Sequence, residues 1–313
     1  ETMALIGAYG NDHSEASSCG SAYIFSDNGD SWIQSSTLRA SDFATGDRFG
    51  SSVAGLSETS IVVGAFGNTE ESGIRSGSAY IFSSHEATWV QVAKLLSSGT
   101  ITSVGGLSRA AAIVGVFNGE IGSAYIFSLN EAGWIQASML ASNDGDDSTL
   151  GCSVTGLSER VALVGAYGSG SEIDSGSAYV FSYNGDSWIQ LSQLLASEDT
   201  QSNFFGFSVV GLSRTVAILG AFGDDHGFID SGSAYIFRDG FGIRLVGGTD
   251  SSSGRVEVYG NGGWGTICDD LWDDNDAAVV CTELGFSGGV AFSEACFGEG
   301  AGPIHMNDVG CTG

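Results

Sequence analysis

The chain has 313 residues, 49 of them glycine and one proline, with 42% apolar residues and a net charge of −27. The glycines do not recur every third residue, which excludes collagen, and the wealth of aromatic and β-branched residues excludes a disordered chain. So acidic a surface repels polyanions, which excludes nucleic acid and anionic membranes as partners and leaves cations and basic surfaces as the natural complement.

No apolar run reaches the roughly 18 residues of a membrane span. No signal peptide and no Asn-x-Ser/Thr sequon is present. The first residues, "ETMALIGAYG", read as the middle of a repeat, so the natural start is expected upstream.

The repeat announces itself as "GSAYIF", at Gly20, Gly77, Gly122 and Gly232, with "GSAYVF" at Gly176. A second marker, "GLS", stands at Gly55, Gly106, Gly156 and Gly211, at spacings of 51, 50 and 55 residues. One unit, Phe49 to Leu96, contains four short β-like runs: "FGSSVAGL", "SIVVGAF", "GSAYIFS" and "TWVQVAKLL". The links between the first two runs are as short as "SET" or "SER", which suits an antiparallel hairpin. In the third run Tyr80 and Phe82 share one face and Ala79 and Ile81 the other. Both faces are apolar, so this strand is expected to be covered on both sides.

Four antiparallel strands in about 50 residues predict a β-propeller blade. Three strands precede Phe49, three complete units follow and three strands end near Phe237, roughly 18 strands in all. That makes four to five visible blades, read as part of a larger propeller. The small pairs Gly7-Ala8, Gly64-Ala65, Gly165-Ala166 and Gly220-Ala221 are expected where strands crowd near the axis. Tyr23, Tyr80, Tyr125, Tyr179 and Tyr235, with Trp32, Trp89, Trp134 and Trp188, are expected to pack between blades.

The Phe-Gly and Gly-Ala landmarks around paired strands resemble FG-GAP repeats, which build the propeller of integrin alpha chains. Phe49-Gly50 and Phe205-Gly206 keep the first landmark, Leu150-Gly151 varies it and Thr100-Ile101 has lost it. In integrins a DxDxDG calcium loop joins the first two strands of some blades; here that loop is cut to a few residues, such as "GLSET". Two other loops are acidic, and Asp144, Asp146 and Asp147 in one and Asp224 and Asp225 in the other are candidate hard-oxygen ligands for calcium.

"RDGFG" at 238–242 ends the repeats, and the sequence then changes character. "RVEVY" alternates like a strand, "WGTIC" reads as its partner, and "DDNDAAVVCTELG" reads as a helix capped by Asn275 or Asp274. Ala277, Val280, Cys281 and Leu284 form its apolar face, and Gly285 suits the position after its end. The runs "GRVEV" at 254–258, "WGTICDD" at 264–270, "AVVCTELG" at 278–285 and "GPIHMNDVGC" at 302–311 closely resemble a scavenger receptor cysteine-rich (SRCR) domain. The expected organisation is 1–238 propeller repeats, 239–242 linker and 243–313 a small α+β SRCR domain, incomplete at its C-terminus.

The resemblance implies that Cys268, Cys281 and Cys311 have partners beyond Gly313, that Cys296 lies outside the family pattern, and that the compartment is extracellular and oxidising. Cys19 and Cys152, in different blades, are expected to be unpaired. The family often binds calcium through an acidic cluster, whose two adjacent aspartates match Asp269 and Asp270. Two catalytic patterns fail on context. "GFSGG" around Ser287 follows a helix, where a serine hydrolase needs a strand, and no helix follows "GNGGWG" at 260–265. No enzyme is expected. The two functions in view are an extracellular or cell-surface binding or adhesion protein for a protein or glycan ligand, with calcium as its cofactor, and a structural subunit of an extracellular assembly whose partners are further copies.

Overall fold

The computed structural model describes all residues other than 1, 13–15, 68–76, 87, 98, 119–120, 144, 146–148, 169–174, 197–201, 215, 225–230, 239–242, 251, 261–262, 285, 301, 307–308 and 310–313. The chain divides into two compact units. The first holds Glu1–Gln190, Leu194–Ser213 and Ala217–Ile236; the second holds Phe237–Gly313 with Leu191–Gln193 and Arg214–Val216.

The repeats form five sheets in sequence order. The first has β1 (Met3–Ala8), β2 (Ser21–Asp27) and β3 (Trp32–Leu38). Three complete blades follow. They are β4 (Phe49–Ser57), β5 (Ser60–Ala65), β6 (Ser78–His85) and β7 (Thr88–Leu96); β8 (Thr100–Ser108), β9 (Ala111–Phe117), β10 (Gly122–Asn130) and β11 (Gly133–Leu140); and β12 (Ser153–Ser158), β13 (Val161–Ala166), β14 (Ser177–Tyr183) and β15 (Trp188–Leu194). The fifth sheet has β16 (Phe205–Ser213), β17 (Val216–Ala221) and β18 (Ser233–Arg238). Successive strands pair antiparallel throughout the second and third blades. The architecture is all-β and built of propeller blades, and the described strands up to Arg238 reach the expected number.

The alternating sequence explains the stacking. On β5 and β6, Ile61, Val63, Tyr80 and Phe82 join Ala22 and Ile24 of the first blade in one core. The opposite side chains, Val62, Ala79 and Ile81, join Ala112, Val114 and Phe127 of the third blade in the next. Ile113, Ala124 and Ile126 then meet Ala162, Val164, Tyr179 and Phe181 of the fourth. Each of the first three blades thus lays its Ala-Ile face on the Tyr-Phe face of the blade after it. Tyr80 and Tyr179 are fully buried, as are Ala79, Ala124 and Ala178. Phe49 and Phe205, the phenylalanines of the Phe-Gly landmark, stand edge-on to Tyr80 and Tyr235 with ring centroids 5.5 and 5.4 Å apart.

Backbones meet where side chains are absent. Gly50, Gly151 and Gly206 have φ of +85°, +86° and +83°, the left-handed region that favours glycine. The "GLS" glycines form a second line of contact: a Cβ on Gly106 or Gly156 would fall 2.0 or 2.1 Å from the carbonyl oxygen of Gly55 or Gly106. Next to each, the β-ladder shifts register between Gly55 and Ser57, Gly106 and Ser108, and Gly156 and Ser158. This bulge goes with the intervening leucines Leu56, Leu107 and Leu157 being buried, at 9, 8 and 8% exposure. Hydroxyls tie neighbouring first strands together: the amides of Val104 and Val154 donate to Ser52 and Ser103 Oγ at 3.0 and 3.1 Å.

In the second unit, β19 (Ile243–Gly247), β20 (Gly254–Gly260) and β21 (Gly263–Ile267) are consecutive neighbours in a sheet, and β22 (Ile304–Met306) adds to β21 in parallel. The helix α1 (Asp274–Glu283) is capped by Asp273, one residue earlier than the sequence suggests. Asp273 accepts the amides of Asn275 and Asp276, and the Asp276 carboxylate accepts the Asp273 amide at 3.0 Å, a closed capping box that Asn275 cannot complete. Ala277 and Val280 of α1 are buried. Glu257 on β20 is held by Arg244 and Arg255, each with a nitrogen 2.6 Å from a carboxylate oxygen, and Arg244 lies 4.0 Å over the Trp264 ring. No helix among the described residues is long and apolar enough to cross a membrane.

Candidate cation site

The sequence-predicted pair Asp269 and Asp270 sits on the turn between β21 and α1. The Cys268 amide donates to Met306 O at 2.9 Å on one side of the turn, and the Trp272 amide donates to Asp269 O at 3.1 Å on the other. Asp273 then begins the helix cap. Ligand atoms of Cys268, Asp269 and Asp270 all lie within 4.8 Å of one another, and both carboxylates are exposed. The remaining acids of "CDDLWDDND" have other work. Asp273 and Asp276 cap α1, and Asp274 accepts the Ala291 amide at 2.8 Å.

Two adjacent carboxylates are hard oxygen donors and fit calcium better than zinc; the soft Cys268 sulfur does not suit calcium. They supply two of the roughly six to eight oxygens such an ion takes. The donor set therefore fits a hard cation as part of a site.

Of the other sequence-predicted ligands only Asp224 is among the described residues. Asp144, Asp146, Asp147 and Asp225 lie outside the described residues. Asp224 is 4% exposed, and its carboxylate accepts the Tyr235 hydroxyl at 2.6 Å while its carbonyl accepts the Gly232 amide at 2.9 Å. It braces the blade's tyrosine, as Asn11 does by donating to the Tyr23 hydroxyl at 2.9 Å. Asp42, which the sequence did not single out, plays this part for Tyr80 at 3.0 Å and also pairs with Lys94 at 2.7 Å. Burial alone would push Asp42 up; the bonds from Lys94 and Tyr80 outweigh it and hold the carboxyl below its ordinary value.

The hairpins that carry calcium loops in integrins are closed here by serine instead. Ser57, Ser108 and Ser158 Oγ accept the amides of Thr59, Ala110 and Arg160, at 3.2, 3.3 and 3.2 Å. Each is a hydroxyl-backed turn, and the carboxylates in two of them, Glu58 and Glu159, are exposed.

A cavity of about 940 Å³ opens between α1, β21 and the 286–300 segment, and Cys268, Cys281 and Cys296 stand on its wall with Trp272, Val280 and Phe297. These three cysteines, with Cys19 and Cys152, are free thiols. Cys152 donates to Gly206 O at 3.4 Å, and burial pushes its thiol up to about 11. Burial raises the Cys281 thiol as well. Ser287 follows α1, and β20 and β21 flank "GNGGWG"; neither place has the strand-turn-helix that its catalytic pattern requires.

Comparison with known proteins agrees with this arrangement. Residues 32–82 and 188–237 match the FG-GAP repeat, and residues 246–313 match the scavenger receptor cysteine-rich domain. The chain carries FG-GAP repeats followed by an SRCR domain. Its SRCR region is 54% identical over 72 residues to lysyl oxidase homolog 2 of Gallus gallus, which is 23% of this chain and 9% of that protein. It is 59% identical to the third SRCR domain of murine neurotrypsin, covering 22% of this chain and 66% of that one, with a TM-score of 0.22. TolB from Acinetobacter baumannii is 10% identical over 83% of this chain and 61% of its own, with a TM-score of 0.43. The chain thus spans less than two thirds of the length of each of these proteins. Both domain kinds are non-enzymatic, and both are typical of extracellular adhesion or binding proteins.

Proposed function

We propose that the chain is an extracellular, non-catalytic binding protein that displays propeller blades and an SRCR domain to a protein or glycan ligand. The observation that carries this reading is the pairing of the two domain kinds on one chain of net charge −27. Its organisation is 1–238 propeller repeats, 239–242 link and 243–313 SRCR domain. Asp269 and Asp270 are its cation ligands, and calcium supplies positive charge between the acidic turn and an acidic ligand. A ligand acid that approaches this turn also supplies the oxygens that the chain lacks.

The test is binding to arrayed glycans and purified matrix proteins, in calcium and in chelator, with the wild type and with Asp269→Asn/Asp270→Asn. The reading expects a retained ligand in calcium, with at least a tenfold loss in chelator and in the double variant. Retention of no ligand, or retention that ignores both, overturns it.

A further inference from the structure

The second strand of each repeat ends in an aromatic residue: Tyr9 after β1, Phe66 after β5, Phe117 closing β9, Tyr167 after β13 and Phe222 after β17. The residues just before them in the inner blades, Ala65, Val116 and Ala166, are buried, yet Phe66 and Phe117 are each 37% exposed. Both stand in blades that pack on a neighbour at either side, so their exposure belongs to the strand ends and not to the ends of the blade array. Tyr9 and Phe222 continue the row as exposed side chains, and Tyr167 is half-buried.

The chain itself shows what these rings accept. Arg48, just before Phe49, holds its guanidinium carbon 5.9 Å over the Phe66 ring. Phe204, just before Phe205, stacks on Phe222 at 4.7 Å with the ring planes 1° apart. Both residues take the left-handed backbone region, with φ of +56° and +54°. In the third blade Ile101 pairs with Val116 where Phe49 pairs with Ala65, so the residue in the covering place is Thr100, which has no planar group. Among the described residues no ring and no cation lies on Phe117.

The charge of the blades is gathered at this same end. In the sequence, the nine connections that join strands here hold 17 acidic residues and three arginines, while the eight turns at the opposite end hold six and three. A carboxylate-rich edge draws a cation, and an exposed ring binds one on its face, a planar guanidinium by stacking as well as by charge. An acidic glycan is repelled, and a neutral one gains nothing from the charge. We propose that this end of the blades is a docking surface for a basic, arginine-bearing segment of a partner protein, with Phe117 as the ring that takes a partner guanidinium. This surface rests on the reading of the chain as a binding protein and supplies the chemistry of one partner. It uses neither Asp269 nor Asp270 and needs no calcium, so the two sites stand or fall separately.

The test is fluorescence anisotropy in chelator, with labelled oligo-arginine and oligo-lysine peptides of equal length. The peptides are titrated with the wild-type chain, Phe117→Leu, Phe117→Ala and Asp269→Asn/Asp270→Asn, each variant checked for folding by circular dichroism. The wild type is expected to bind the arginine peptide about fivefold more tightly than the lysine peptide, and both more weakly as salt rises. Phe117→Leu keeps the apolar bulk without the ring and is expected to lose that preference. Phe117→Ala is expected to weaken arginine-peptide binding by about fivefold, and the aspartate pair to bind as the wild type does. No binding of the arginine peptide at low salt, equal binding of the two peptides, or a preference that survives Phe117→Leu would each overturn the proposal. Binding abolished by the aspartate pair would overturn it too, while leaving the cation site in place.

Discussion

A side-chain carbon built on Gly165 would stand 1.9 Å from the carbonyl oxygen of Gly206. The Gly-Ala glycine of one blade and the Phe-Gly glycine of the next are thus the place where two backbones touch. The same approach recurs between Gly7 and Gly50 at 2.0 Å and between Gly115 and Gly151 at 1.9 Å. It relaxes where the third blade has Ile101 in place of that glycine. There the nearest atom to a carbon on Gly64 is a Val104 methyl at 3.4 Å.

This contrast predicts opposite outcomes for one chemical change. Gly165→Ala drives a methyl into backbone and is expected to destabilise the propeller by about 3 kcal/mol. Gly64→Ala meets only side chains at contact distance and is expected to stay within about 1 kcal/mol of the wild type. Denaturant midpoints of the two variants check it.

The apolar face of the GSAYIF strand gives a second matched pair. Ile81→Ala empties a site with 1% exposure and is expected to cost about 2–5 kcal/mol. Ile236→Ala changes the same repeat position at 59% exposure and is expected to cost less than about 0.5 kcal/mol in the monomer. Urea unfolding at low protein concentration separates the two.

The Glu257 cluster sets the acid limit of the second unit. Burial raises this carboxyl, but the hydrogen bonds and charges of Arg255 and Arg244 outweigh it and hold it below its ordinary 4.5. A depressed carboxylate stabilises the fold above its unfolded value, and that contribution is lost as pH falls through the folded value. Protection of the β20 amides is therefore expected to fall as pH drops below the ordinary value of 4.5 in the wild type. Glu257→Gln is expected to be weaker by about 1–3 kcal/mol at neutral pH and flatter across the acid range. Amide exchange read by NMR across that range checks both.

The blade architecture and strand order were legible because the code is local. A two-residue alternation with both faces apolar means a strand covered twice, and "GSAYIF" states it outright. The "GLS" glycines were visible as markers, but their backbone contact joins residues about 50 positions apart, which spacing alone does not reveal. The helix cap was misplaced by one residue because Asp273, Asp274 and Asn275 are all good caps, and only the reciprocal bond from Asp276 chooses among them. Asp224 was singled out as a loop acid, and its hydrogen bond within the blade was not legible. Its partner, the Tyr235 hydroxyl, is brought to it by the sheet. Asp269 and Asp270 were singled out through the SRCR resemblance, and the structure adds that the neighbouring acids are occupied elsewhere.

The central claim is that one strand in each inner blade is covered on both faces, and that this cover ends at the fifth blade. Amide hydrogen exchange by mass spectrometry tests it most directly. The account predicts that β6, β10 and β14 are the slowest segments, while β18, with the same sequence motif but no fourth strand beside it among the described residues and with Ile236 exposed, exchanges at least a hundredfold faster, as expected where about 3 kcal/mol of local stability is lost. Equal protection of β18 and β10 would contradict it.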